Sequence, residues 1–191
     1  MNAASAAAGP VRAGWWRRFL AWWYEILLLI PVLLLAAAVY QGLFQLVTQL
    51  PVDRLSGIPA ARIGMFIWLM LIIAGYFGLC WKRGGQTLAM KTWRIRLVDP
   101  VSNQSPDWRA IAIRFGVGLV CFGPVLPLWF AARLDPAWVP FARLSLAWGV
   151  LPFAWAYMDR DKQFLHDRLA GTRLLFAPKQ ARAQQQQPAE A

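Results

Sequence analysis

The sequence predicts an all-α membrane protein: a bundle of four transmembrane helices with a small cytoplasmic cap of short strand-like segments. Three observations predict it. The chain of 191 residues is 59% hydrophobic and only 15% charged, with a mean hydropathy of +0.41, whereas a soluble domain of this length exposes far more charge. Four apolar stretches are each long enough to cross a bilayer core, for which about 20 residues suffice. Arginines, lysines and many of the twelve tryptophans gather at the ends of those stretches, the pattern of helices crossing a membrane–water interface.

The first stretch organises the rest. In GWWRRFLAWWYEILLL, residues 14–29, Arg17, Arg18 and clustered tryptophans open an apolar run that continues to about Tyr40. Glu25 lies inside it, about ten ångströms beyond the basic edge. An acid at that depth is costly, and by default it marks a functional position. The predicted span is 16–41, with Pro31 removing a backbone hydrogen bond near its middle. The basic start, apolar core and small residues Ala36–Ala38 partly resemble a cleavable signal. The run from Phe19 to Tyr40 is nonetheless long enough to span, and further spans follow, so it is read as retained. Residues 1–12, Ala-rich with Gly9-Pro10, are expected to be a disordered cytoplasmic tail.

Residues 42–61 read as a loop with Pro51, Gly57 and Pro59 as breakers, its GLFQLVTQL half lying along the interface. The second span is 62–81, stopped by Lys82-Arg83. The alternation in Trp93-Arg94-Ile95-Arg96-Leu97-Val98 suits a short strand with one covered face. Ser105-Pro106-Asp107 is a good helix start. The third span covers 109–132, with Gly123-Pro124 and Pro127 breaking its second half, and the fourth covers 137–158. A polar turn and a second strand-like run, 172–176, follow. The two short runs either pair into a small cap or remain separate interfacial segments. Residues 178–191 are low-complexity and expected to be disordered, leaving 13–177 as the membrane domain.

Charge sets the expected orientation. With both termini in the cytoplasm, the inner segments hold three basic residues (12, 17, 18), seven (82, 83, 91, 94, 96, 109, 114) and six (160, 162, 168, 173, 179, 182). Only four (54, 62, 133, 143) fall outside, as the positive-inside rule requires of a cell-membrane protein with this topology. The net charge of +11 is then explained by basic loops against anionic headgroups. With no nucleic-acid-binding module in the sequence, the bilayer is the expected partner, beside a second copy or another membrane protein.

Candidate chemistry is sparse. Gly84-Gly85-Gln86-Thr87 invites a phosphate-loop reading, but the following Gly-Lys-Ser/Thr pattern is missing. A tight turn off the second helix, with Thr87 capping the next segment, is the preferred account. His166-Asp167 lacks a nucleophile beside it and is read as a hydrogen-bonded junction, so neither catalytic residues nor enzyme activity are expected. With one histidine and no acid cluster, no metal or cofactor is expected. Cys80 and Cys121 sit in apolar runs as inert thiols, and the tryptophans are read as an interfacial belt.

Taken together, GWWRRFLAWWYE, WKRGGQTLAMKTWRIRLVD and QFLHDRLAGTRLLF resemble the RDD family of small membrane proteins, over about residues 13–177. The family's name denotes an arginine and two aspartates. By this resemblance its arginine falls on Arg18 and its last aspartate on Asp167. Its first aspartate falls on Glu25, a departure that keeps the charge and lengthens the side chain by one methylene. The resemblance implies transport of some ligand, with ion/proton exchange proposed for some members.

Glu25 is the sharpest candidate, because a desolvated carboxyl that exchanges a proton is what a proton-coupled carrier needs. The competing account is a buried ion pair that locks helices together. Arg114, about as deep on the third span, is its natural partner. Arg18, about ten ångströms away along the helix axis, is expected to reach headgroups or an acid such as Asp167. Two functions follow: a proton-coupled cation or solute transporter, or a non-transporting module that supports assembly of other membrane proteins.

Overall fold

In lipid, every backbone N–H and C=O must find its partner within the protein, so long apolar runs become helices. The computed structural model describes residues 11–49, 54 and 58–177. The expected tails at 1–10 and 178–191, and most of the centre of the 42–61 loop, lie outside the described residues. Helix α1 spans Trp15–Thr48 and α2 spans Pro59–Gly84. Helix α3 is a short piece, Leu88–Thr92, before strand β1, Ile95–Val98. Helices α4, Trp108–Phe122, and α5, Val125–Leu134, together make the third span. A 3₁₀ turn, Pro136–Trp138, leads into α6, Val139–Met158. Helix α7, Leu165–Leu169, and strand β2, Arg173–Phe176, complete the order.

Helix α1 runs further than expected. Its 34 residues are about 51 Å long, well beyond a hydrocarbon core of roughly 30 Å. The segment 42–48, read as the start of a loop, continues the helix because no proline follows Pro31 until position 51 and one glycine does not stop a helix. The end occurs at Gln49, in the left-handed region at φ 56°. Far from the cap, the Tyr40 hydroxyl donates to the Ala61 carbonyl (3.1 Å) and Trp68 Nε1 donates to that of Ala36 (3.0 Å), tying α1 to α2.

The third span breaks at Gly123-Pro124 as expected. Pro127, expected to add to the break, instead sits in the first turn of α5, where its missing N–H costs little. Asp107 caps α4 by accepting from Ala110 N at 2.8 Å.

The two strand-like runs pair. β1 and β2 are antiparallel, with Ile95 opposite Phe176 and Leu97 opposite Leu174. Residues 11–13 cover the other edge of β2: Phe176 N donates to Val11 O (2.8 Å), Ala13 N donates to Leu174 O (3.1 Å), and Arg12 bridges Leu175. This corrects the expected tail 1–12, whose last two residues belong to the cap. An exposed strand edge offers unpaired groups, and this segment takes them up.

Ile95 and Leu97 join Ala13, Ala21, Trp81, Met90, Ile111 and Leu174 in one buried cluster that seats the cap on the bundle. A second cluster, Phe153, Ala156 and Phe164, packs against Trp15, Phe19, Trp22 and Phe122. None of the most apolar stretch of α1 is buried within the protein, so its face is left to lipid. The tryptophans divide accordingly. Trp16, Trp108 and Trp138 are exposed near span ends, as a belt requires, whereas Trp15, Trp22 and Trp81 are packing residues. Cys80 and Cys121 are free thiols.

Candidate functional site

Two buried polar clusters lie where the cap meets the bundle. The first is centred on Glu25 of α1, which is 7% exposed. The Tyr76 hydroxyl of α2 donates to Glu25 Oε1 at 2.5 Å, and the Thr87 hydroxyl donates to Oε2. Each hydroxyl also accepts from the first turn of α3, Tyr76 from Leu88 N (3.4 Å) and Thr87 from Met90 N (3.2 Å). A hydroxyl has one proton, so accepting from the backbone leaves that proton for the carboxyl. The carboxyl therefore joins α1, α2 and α3 in one network.

The GGQT turn makes this possible. Gly85 adopts φ +65° and closes α2 with hydrogen bonds from Gly85 N to Trp81 O and from Gln86 N to Cys80 O. Leu97 N then donates to Gly85 O at 2.7 Å, and Gln86 Nε2 donates to Ile95 O at 2.8 Å. With Gly85 turning the chain this way, Thr87 becomes the cap of α3, as expected, and its side chain faces Glu25.

The second cluster is built on Arg114 and Asp167, which form an ion pair; Asp167 is only 1% exposed. Arg114 Nη1 also donates to Thr172 Oγ1 at 3.4 Å, and its guanidinium lies over the Trp81 ring at 5.0 Å. The expected pairing of Arg114 with Glu25 does not occur. Equal depth on two helices does not set which way each side chain turns, and α7 brings Asp167 to the face of α4 that carries Arg114.

Arg18 is buried too, and among the described residues it does not pair with Asp167. Its Nη2 donates to Lys162 O at 2.6 Å, and its guanidinium stacks over Phe164 at 4.8 Å. Among the described residues no lysine or arginine pairs with Glu25. Arg18 and Asp167 thus come to one junction, while Glu25 belongs to the other. Tyr76, Thr172 and Trp81 were not singled out as site residues. Tyr76 carried a signal, the lone hydroxyl in an otherwise apolar second span; Thr172 carried none.

His166 lies between these charges, with Nε2 3.6 Å from Asp167 Oδ1. Burial, and then Arg114 and Arg18, hold its imidazole well below the usual histidine pKa, so it is neutral and this contact is not an ion pair.

A family model of the RDD family matches residues 12–171, which include the Glu25 network and the Arg114–Asp167 pair. The chain belongs to the RDD family. Comparisons with curated proteins and with solved structures return no match. In this RDD protein, His166 predicts a pH dependence with a definite sign. The folded pKa lies below the unfolded value of about 6.5, so its contribution is full above that pH and lost as pH falls through it. Thermal stability in detergent should therefore decline from about pH 7 to about pH 5, and His166→Gln should flatten that slope. An unchanged slope in the variant would assign the acid sensitivity to other groups.

Proposed function

We propose that this RDD protein is a proton-coupled transporter of a small cation or solute, with Glu25 as the group that takes and releases the proton. The observation that supports the reading most is the surroundings of Glu25: a buried carboxyl on a spanning helix, held by two hydroxyls. A carboxyl locked to a guanidinium is held in its charged form, whereas hydroxyls can follow a carboxyl through both protonation states. Protonation removes a charge that accepts two hydrogen bonds, and both donors are fastened to α3. Uptake of a proton would thereby loosen the cap element against the bundle, giving the proton a conformational consequence.

In this reading the protein lies in the cell membrane with both termini and the cap in the cytoplasm, as the distribution of basic residues favours. It performs no covalent chemistry. A narrow four-helix unit favours a second copy to widen the pathway. One observation favours the assembly-module reading instead. The sealed Arg114–Asp167 pair joins cap to bundle as a packing device would, and such a cap could dock other proteins.

The test is dye-reported proton movement in inside-out vesicles challenged with Na⁺, K⁺ or Li⁺. Cation-driven proton flux is expected in the wild type, and its loss in Glu25→Gln that inserts normally. No flux from well-folded wild-type protein would remove the transport reading and turn attention to membrane partners.

A further inference from the structure

Away from Glu25, a cleft of about 290 Å³ opens between the start of α1, the turn after α6 and strand β2. Arg12, Arg18, Arg160, Lys162 and Arg173 all line it. The acid on its wall, Asp161, is already engaged, by Arg12 at 2.7 Å and Arg168 at 3.2 Å. Asp159, which shapes the turn, accepts from the backbone N–H groups of Asp161 (3.1 Å) and Gln163 (2.9 Å). Five cationic side chains therefore share the cleft with one carboxylate that is spoken for.

The floor of the cleft is built rather than incidental. Arg18 is 7% exposed and fixed by its bond to Lys162 O, which Lys162 presents from a left-handed backbone at φ 51°. Two buried donors on the cleft's lining residues, Arg18 Nε and Trp15 Nε1, have no hydrogen-bond partner among the described residues. Buried N–H groups are rarely left unpaired, and each such case calls for an explanation. An anion with several oxygens in the cleft would balance the surplus positive charge.

We propose that this cleft binds a phosphate group. Three or more guanidinium groups converging from different segments suit a tetrahedral, multiply charged oxyanion better than a single carboxylate, because each planar fork can take two oxygens. The cleft lies at the first turn of α1 and just past the end of α6, where the spanning helices begin. A phosphate can reach that level as the headgroup of an anionic lipid or as a free phosphate from the aqueous side. The site is separate from the Glu25 network and stands whether or not the protein moves protons.

Two binding measurements test it, comparing the wild type with Arg160→Gln/Lys162→Asn. Both replaced side chains are exposed, and asparagine tolerates the backbone at 162, so the fold is expected to persist, checked by circular dichroism and monodispersity. In one arm, inorganic phosphate is titrated into detergent-purified protein by calorimetry, with chloride matched for ionic strength. In the other, lipid retention is counted by native mass spectrometry after reconstitution with phosphatidylglycerol or with neutral phosphatidylcholine. Saturable binding of one phosphate or one phosphatidylglycerol per chain is expected. It should weaken roughly tenfold or more in the double variant, as loss of charge-assisted contacts predicts. Binding in the phosphate arm alone identifies a soluble ligand, and retention of phosphatidylglycerol alone identifies a headgroup. No saturable binding in either arm, or equal binding by the folded double variant, overturns the proposal.

Discussion

Asp167→Asn should destabilise the protein by about 3–5 kcal/mol, the usual cost of removing one partner from a buried ion pair. Asp167 is buried among Arg114, His166 and the approach to β2, and among the described residues its carboxylate is the only acid paired with Arg114. Asparagine keeps the shape and removes the charge, which leaves the Arg114 guanidinium uncompensated between Thr172 and the Trp81 ring. The cost arises from the stranded charge and not from the pair as such. Arg114→Met/Asp167→Leu should therefore recover most of the loss, since replacing both partners by apolar groups is often neutral or better. Thermal unfolding in a mild detergent measures both variants. A single variant within about 1 kcal/mol of the wild type would mean that the pair does not hold the junction.

The second large effect is expected at a glycine. Gly85→Ala should cost about 2–4 kcal/mol, because it adds left-handed backbone strain to a lost hydrogen bond. At φ +65° an L side chain is strained, and an added Cβ would run into the Leu97 carbonyl oxygen. To relieve that contact, β1 must move from the turn and stretch the 2.7 Å bond from Leu97 N to Gly85 O. The neighbouring Gly84→Ala is the control, since a Cβ there meets nothing within 4 Å and the backbone is helical. Limited proteolysis between α2 and α4 should accelerate in Gly85→Ala and stay unchanged in Gly84→Ala. Equal behaviour of the two would show that the turn is not under this constraint.

Much of the fold was legible because bilayer and backbone constraints act locally. Length and hydropathy marked four spans, and the missing N–H of Pro124 marked the break in the third. Alternation in 93–98 and the run 172–176 marked two strand-like segments, whose pairing only the structure decided. Thr87 was readable as a cap, because a cap depends on a few neighbouring residues. The end of α1 was misjudged, since the helix continues past its most apolar part until something stops it. The place of residues 11–13 was hidden as well, because strand pairing with β2 comes from the far end of the chain.

The candidate site was legible as residues and illegible as partnerships. By itself the sequence determined that a carboxyl at 25 and guanidiniums at 18 and 114 sit in apolar helices, each needing to be satisfied. Which groups satisfy them depends on how each helix is turned about its axis and on what the cap brings beneath it. Only the tertiary structure decided that Glu25 meets the hydroxyls of Tyr76 and Thr87, the latter 62 residues away in sequence, and that Arg114 meets Asp167. Burial cost is written into a single residue, but its compensation belongs to a contact, and contacts exist only once the chain has packed.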